Sequence, residues 1–349
     1  MRRFMFQPKR VFLASVALGA ATLLAGCGSD SSGPQAEAKP TITVYSSRKE
    51  HLVKPLFDQY TADTGVEIRY ITDKAGALIQ RLKAEGETTP ADMLITVDVG
   101  NLWQAAELDL FRSTQSTTLD ANIPAELRDE QNRWAGLSVR ARTIVYATDR
   151  VQADELSTYE ALAEDNWKGR LCLRTSKKVY NQSLVASMIE SLGEEQAETV
   201  VKGWVDNLAT APFSNDTKAM EAVLAGQCDA TIVNTYYYGR LMKKTPDAAL
   251  ALYWPNQDDR GVHVNVSGAG ITKHAKQPQA AQQLLEWMSS PNAQAVLANS
   301  NQEYPANAGV KPSEEVASWG EFKADNVHVE AAGRRQADAV KLMDRAGYL

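Results

Sequence analysis

The chain has 349 residues, 44% of them hydrophobic and 23% charged, with a formal net charge of −6. This composition excludes a collagen-like chain, a wholly disordered chain and a polytopic membrane protein, and the acidic balance gives no electrostatic footprint for nucleic acid. A single hydrophobic core stops growing below this length, so two domains or lobes are expected.

Residues 1–26 read as an export signal. Arg2, Arg3, Lys9 and Arg10 precede an uncharged run from Val11 to Gly26, which is short for a membrane-spanning helix. The run ends Leu24-Ala25-Gly26-Cys27. Small residues before a cysteine match the bacterial lipobox pattern, which predicts a lipoprotein signal peptide cleaved before Cys27 and a lipid on that cysteine. Residues 27–39 are polar and rich in Ser and Gly, the composition of a flexible tether. The expected location is periplasmic or otherwise extracytoplasmic, with membrane contact through the Cys27 lipid alone. Export also puts Cys172 and Cys228 in an oxidising compartment, where a disulfide is the expected state and two separate buried thiols the alternative.

From Pro40 onward strands alternate with helices. Thr41–Tyr45 is a strand, and Leu52, Val53, Leu56, Phe57 and Tyr60 recur at helical spacing. A strand at Val66–Ile71, a helix at Ala77–Ala84, a buried strand at Met93–Val97 and a helix at Leu102–Leu110 follow. The rhythm returns with a strand at Arg170–Arg174, a helix at Ser183–Leu192, a strand at Ala230–Val233 and a helix at Tyr236–Lys243, then helices at Ala280–Met288 and Asn292–Ala298. This predicts an α/β body with largely parallel sheets. Ligands of such bodies sit beyond the carboxyl ends of strands, at helix N-termini.

Tyrosines occupy two such strand-to-helix turns. Asn234-Thr235-Tyr236-Tyr237-Tyr238 follows one strand, with Asn234 or Thr235 as a helix cap, and Lys177-Lys178-Val179-Tyr180-Asn181-Gln182-Ser183 follows another. Adjacent tyrosines diverge on a strand but converge on a cleft from the first turn of a helix. Phenolate oxygen suits a hard cation such as Fe³⁺. The spacing alone is equally met by tyrosines that pack their rings and cap with their hydroxyls.

The segments LCLRTSKKVYNQSLVASMIE (171–190), CDATIVNTYYYGRLM (228–242), VYSSRKEHLVKPLFDQYTADTGV (44–66) and ALIQRLKAEGETTPADMLITVDVG (77–100) resemble the bacterial ferric-iron-binding proteins of ABC importers. WAGLSVRARTIVY (134–146), SGAGITKHAK (267–276), LLEWMSSPNAQ (284–294) and EYPANAGV (303–310) extend the resemblance over nearly the whole mature chain. It implies a two-lobed type II periplasmic binding protein fold, with one Fe³⁺ in the interlobe cleft and an ABC permease as partner. The family's adjacent tyrosine ligands fall on Tyr236 and Tyr237, and a further one on Tyr180; Tyr238 is left for packing. The implied lobes are 40–139 with 262–312, and 140–261 with 313–349, in a monomer.

The sequence departs from the family at the first strand. Many relatives place a histidine ligand after Ser-Ser-Arg; here Lys49 stands there, and a protonated lysine has no lone pair to give. His51 lies two residues later and is not expected to be obligatory. A branch of the family completes the coordination with an anion such as carbonate, or with water. Arg48, Arg140 and Arg142 are candidates to hold it, because guanidinium offers a planar donor fork; ion pairing between lobes is their other reading.

Other motifs compete weakly. The histidines at 51, 263, 274 and 328 lack zinc spacing, and there is no phosphate loop, dinucleotide motif or nucleophile elbow. Ser46-Ser47 and Ser267-Gly268-Ala269-Gly270 are weak anion cradles, better explained as a helix cap and a turn, and Asp98 is a helix cap or a cleft residue. The expected function is ferric iron capture for an ABC permease by a non-enzymatic lipoprotein. The alternative is a receptor for an organic solute such as a polyamine or a sugar phosphate.

Overall fold

The strand–helix alternation is present throughout residues 40–349, the part of the chain that the computed structural model describes; the signal, Cys27 and the tether lie outside the described residues. The first elements are β1 (Thr41–Ser46), α1 (Glu50–Thr64), β2 (Glu67–Thr72), α2 (Ala75–Glu85), β3 (Met93–Thr96), α3 (Val99–Glu107) and α4 (Thr117–Asn122). The long strand β4 (Ala135–Ala147) leads to β5 (Leu171–Cys172), α5 (Val179–Leu192), α6 (Glu194–Asp206), α7 (Asp216–Leu224), β6 (Ala230–Asn234), α8 (Thr235–Lys244) and β7 (Leu250–Tyr253). The chain returns through β8 (Val264–Ile271), α9 (Pro278–Met288), α10 (Pro291–Asn301) and β9 (Tyr304–Pro305), and finishes with α11 (Glu314–Ala317), α12 (Val329–Arg334) and α13 (Gln336–Arg345).

Local chemistry sets these elements. The apolar stripe of α1 is buried, and Gly65 ends that helix at φ 70°, donating its N–H to the Thr61 carbonyl. Only glycine adopts this left-handed cap without a Cβ penalty. All four residues of β3 are buried, as in a strand covered on both faces. Two elements differ from expectation. The strand at 170–174 shrinks to Leu171–Cys172, because from Leu173 onward the backbone bonds to Phe213 instead of β6. The helix expected from Ser183 starts at Val179, which draws Tyr180 into its first turn.

The strand order is β2-β1-β3-β8-β4-β6-β5, with β7 and β9 also on β4. Only the outer parts are parallel: β1 with β2 and β3, and β5 with β6. The expectation of largely parallel sheets is therefore corrected; β8 is antiparallel to β3 and β4, and β4 is antiparallel to β6. The reason is that β4 belongs to both halves. It pairs with β8 along Ala135–Ala141 and with β6 along Arg142–Tyr146, changing partner between Ala141 and Arg142. Ser267–Gly270 lies inside β8 and is neither cradle nor turn. A Cβ at Gly268 would stand 2.4 Å from the Ala135 carbonyl, so glycine lets β4 approach.

Apolar clusters back each half. Val44, Phe57, Met93, Leu284 and Leu297 pack α1, α9 and α10 on β1 and β3. Val145, Met220, Val223, Val233 and Leu241 surround Cys172 and Cys228, which are joined as a disulfide across 56 residues of sequence. Cys172 lies opposite Thr231 on β6, so the bridge ties together the two strands that lead to the tyrosines. No helix among the described residues is long and apolar enough to cross a membrane.

In the chain-entropy account a loop of this order stabilises the fold by about 4 kcal/mol. Thiol titration of the unfolded, unreduced protein should find neither Cys172 nor Cys228 free. Reduction should lower the unfolding midpoint; an unchanged midpoint would show that the loop constraint contributes nothing.

Candidate functional site

Two strands deliver three tyrosines to one place. β6 leads into α8, whose first turn carries Tyr236 and Tyr237, and the segment after β5 leads into α5, whose first turn carries Tyr180. The rings of Tyr236 and Tyr237 have centroids 4.5 Å apart. Asn234 holds the N-cap position of α8 but does not cap it with its side chain. Its Nδ2 donates to the Tyr236 hydroxyl at 3.1 Å, and its Oδ1 accepts from Arg142. Tyr238 turns away, its ring 6.2 Å from that of Trp319.

These three tyrosines line an open cavity of about 790 Å³. Burial pushes the hydroxyl pKa of Tyr180 and Tyr236 above the usual tyrosine value; neighbouring tyrosines push Tyr236 further, and Arg140 opposes the shift in both. Without a bound cation Tyr180 and Tyr236 are therefore held as neutral phenols, and a metal that binds them displaces their protons.

The charged part of the lining is mostly cationic: Arg48, Lys49, Lys74, Arg140, Arg174, Lys177, Lys178 and Arg240. Arg140 donates to Ser267 at 2.9 Å and lies 5.8 Å from the Tyr180 ring. Arg174 stands 5.6 Å from the Tyr180 ring and 5.9 Å from the Tyr237 ring, backed by Asp216. Arg240 covers Tyr236 at 5.2 Å and hydrogen-bonds Asn301. Lys178 lies 4.7 Å from the Tyr180 ring, and burial pushes its ammonium pKa down. The acidic lining residues are Asp73 and Glu303. Burial works against the Glu303 carboxylate, yet Arg48, Arg140 and Ser138 hold its pKa below the usual range.

The three arginines named from sequence are placed differently. Arg140 is buried but faces the cavity. Arg48 lines it too, yet its charge is met by Glu303 at 3.0 Å. Arg142 does not line it. Its guanidinium donates to Asp216 at 3.0 Å, to Asn234, to Asn181 and to the Ile232 carbonyl. His51 is exposed on α1 and does not line the cavity, whereas Lys49, at the N-cap of α1, does. Ser46 accepts from the Arg48 N–H instead of capping α1. Asp98 caps α3 through the Gly100 N–H and also accepts from Ser183 and Asn265; burial raises its pKa to about 6. Elsewhere His328 meets Glu130 and Glu330, but its Nδ1 accepts from the Glu330 N–H.

Arg174, Lys178, Arg240 and Glu303 were not singled out from sequence. Arg174 and Lys178 flank Tyr180 in the same strand-to-helix turn, and Arg240 follows Tyr236 by four residues, one helical turn, so their spacing carried a usable signal. Glu303 meets Arg48 across 255 residues of sequence and left none.

Comparison with known proteins places this cavity in context. Residues 55–324 match the family described as bacterial extracellular solute-binding protein. Iron uptake protein A1 of Synechocystis is 42% identical over 354 residues, covering 97% of this chain and 98% of that protein. A Trichodesmium protein (FutA, or IdiA) solved in complex with iron and citrate is 43% identical; the match covers 88% of this chain and all of that one, with a TM-score of 0.85. The ferric binding protein from Campylobacter jejuni is 35% identical over 88% of this chain and superposes with a TM-score of 0.83. The fold is thus the two-lobed α/β architecture of ferric-binding protein structures. With 270 consecutive residues inside the family match, the chain belongs to the bacterial extracellular solute-binding proteins.

Proposed function

We propose that this protein captures ferric iron outside the cytoplasmic membrane and delivers it to an ABC permease, with Tyr180, Tyr236 and Tyr237 as its metal ligands. The observation that carries the reading is the convergence of three tyrosines from two helix starts on one open cavity. Relatives named for iron uptake or ferric iron binding support the cargo. Three phenolates supply three negative charges to a trivalent cation, and oxygen donors match its hardness.

Arg140, facing the cavity with only neutral hydrogen-bond partners, is the residue we assign to a completing anion such as carbonate. Arg48 and Arg142 are instead read as ties, and His51 as outside the coordination sphere. A polyamine is disfavoured by the basic lining, since like charges face it. The lobes are read as 40–139 with 262–312, and 140–261 with 313–349, hinged at β4 and β8, because β4 exchanges partners there. Residues 1–26 as signal, lipid on Cys27, the tether and a monomeric, non-enzymatic receptor complete the proposal. Mass spectrometry of the mature N-terminus tests the anchor.

The phenolate-to-iron charge-transfer band in the visible reads the site directly. Tyr236→Phe and Tyr237→Phe keep ring packing but remove the ligand oxygen; each should abolish or shift the band and weaken Fe³⁺ binding by at least about tenfold with the fold intact. Parent-like binding in both variants would refute the ligand set.

His51→Ala should keep coloured iron binding, whereas Tyr180→Phe should change the spectrum. Complete loss of Fe³⁺ in His51→Ala would restore a histidine-ligated site.

Arg142→Ala leaves the buried Asp216 with the Asn234 N–H and the longer ion pair to Arg174, and should destabilise the fold by about 3–5 kcal/mol in chemical denaturation. A loss below about 1 kcal/mol would show that Arg142 is not a structural tie.

A further inference from the structure

The turn that presents Tyr180 is not held by the sheet. β5 ends at Cys172, and the backbone that follows bonds to Phe213, whose N–H donates to the Leu173 carbonyl and whose carbonyl accepts from the Thr175 N–H, each at 2.8 Å. After Thr175 the turn meets residues from the other end of the described chain. The Ser176 N–H donates to the Leu349 carbonyl at 3.1 Å. Just before it, α13 ends at Arg345, and Gly347 stands at φ 72° with its N–H on the Asp344 carbonyl. This left-handed residue reverses the chain. It seats Tyr348 in the interior, where that residue is 3% exposed.

A phenol buried this deeply needs partners for its hydroxyl. Both partners of Tyr348 lie on the Tyr180 turn: the hydroxyl donates to the Arg174 carbonyl and accepts from Asn181 Nδ2 at 2.9 Å. Asn181 directly follows Tyr180. Its amide group also donates to the Arg174 carbonyl at 2.8 Å and the Thr175 carbonyl at 3.1 Å, while its Oδ1 accepts from Arg142. Three acceptors thus share two amide hydrogens, and the Tyr348 hydroxyl makes up the shortage with a hydrogen of its own. The local sequence offers no substitute. Lys178 is the N-cap of α5 and makes no side-chain cap, so the helix start that carries Tyr180 lacks the usual local anchor. Tyr348 does not line the cavity, and its influence there passes through this turn.

We propose that Tyr348 is a positioning residue for metal binding: its hydroxyl stands in for the missing cap of α5 and fixes the Tyr180 phenol where it meets the metal together with Tyr236 and Tyr237. This inference rests on the iron reading above and adds to it a residue outside the cavity. The start of α8 is held separately, by Asn234 and β6, so loss of the Tyr348 hydroxyl loosens one of the three phenols and leaves the other two in place.

Tyr348→Phe keeps the ring and removes the hydroxyl. The visible band of the Fe³⁺ complex should shift, and Fe³⁺ affinity should fall by about fivefold to tenfold. The decisive comparison repeats the change in Tyr180→Phe, where no phenol is left to position: there Tyr348→Phe should leave the band unmoved and the affinity within about twofold. Gly347→Ala is a second variant. A Cβ there meets nothing within 4 Å, but the positive φ strains the turn that seats Tyr348. It should move the band in the same direction, again only where Tyr180 is present. Trp204→Phe controls for lost stability. Trp204 is buried on α6, does not line the cavity, and donates its Nε1–H to the Tyr159 carbonyl at 2.8 Å. That variant should lower the unfolding midpoint and keep the parent's band, with affinity within about twofold. Parent-like band and affinity in both Tyr348→Phe and Gly347→Ala overturn the proposal. So does an equal loss from Tyr348→Phe in the parent and Tyr180→Phe backgrounds, or an equal band shift in Trp204→Phe. If Tyr180→Phe itself binds Fe³⁺ with the parent's band and affinity, the iron reading of Tyr180 fails and the positioning role falls with it. A changed Tyr180→Phe beside an unchanged Tyr348→Phe and Gly347→Ala fails the positioning role alone.

Discussion

One guanidinium joins the framework to the site. Arg142 sits on β4 at the point where that strand exchanges β8 for β6. It donates to Asp216 at the start of α7, to Asn181 next to Tyr180, to Asn234 two residues before Tyr236, and to the Ile232 carbonyl of β6. A charge so buried is tolerated only when ion-paired and hydrogen-bonded, so these acceptors cannot drift independently. The two tyrosine-bearing helix starts are fixed to each other through this side chain, and the disulfide holds the strands behind them. The three phenols converge because their supports do.

Much of this was legible in the chain itself. The alternation of strand and helix is a local signal, and so are tyrosines in the first turn after a strand. What escaped was non-local. Residues 140 and 142 share a face of a straight strand, and nothing in their spacing distinguishes them. They part because β4 changes partners between them, leaving Arg140 in the cavity and taking Arg142 into the cluster behind the tyrosines. Parallel pairing was overestimated for the same reason: two long strands traverse the middle antiparallel, a fact about chain return that periodicity does not encode. Asn234 reads as a cap by residue type, but two stronger demands, Arg142 and the Tyr236 hydroxyl, occupy its side chain.

The electrostatics of the cavity have a division of labour. Arg48 and Arg174 face carboxylates and spend their charge inside the protein. Arg140 and Arg240 hydrogen-bond only to neutral oxygen, though the charge of Arg140 also reaches Glu303 and Asp98, and Lys49, Lys74, Lys177 and Lys178 form no ion pair among the described residues. The protein as a whole is acidic, yet the field inside the cleft is positive, which concentrates anionic species there ahead of contact.

Lys49 and Lys74, at the N-caps of α1 and α2, also bear on the lifetime of the empty receptor. Cations crowded about an unoccupied cavity repel one another, and the dipoles of α1 and α2 add to that repulsion. An anion bound beside the metal offsets this repulsion, so ligand and folding are thermodynamically linked. At a free ligand concentration a hundredfold above its Kd, linkage adds about 2.7 kcal/mol to the stability of the folded state. The loaded molecule is therefore the durable one.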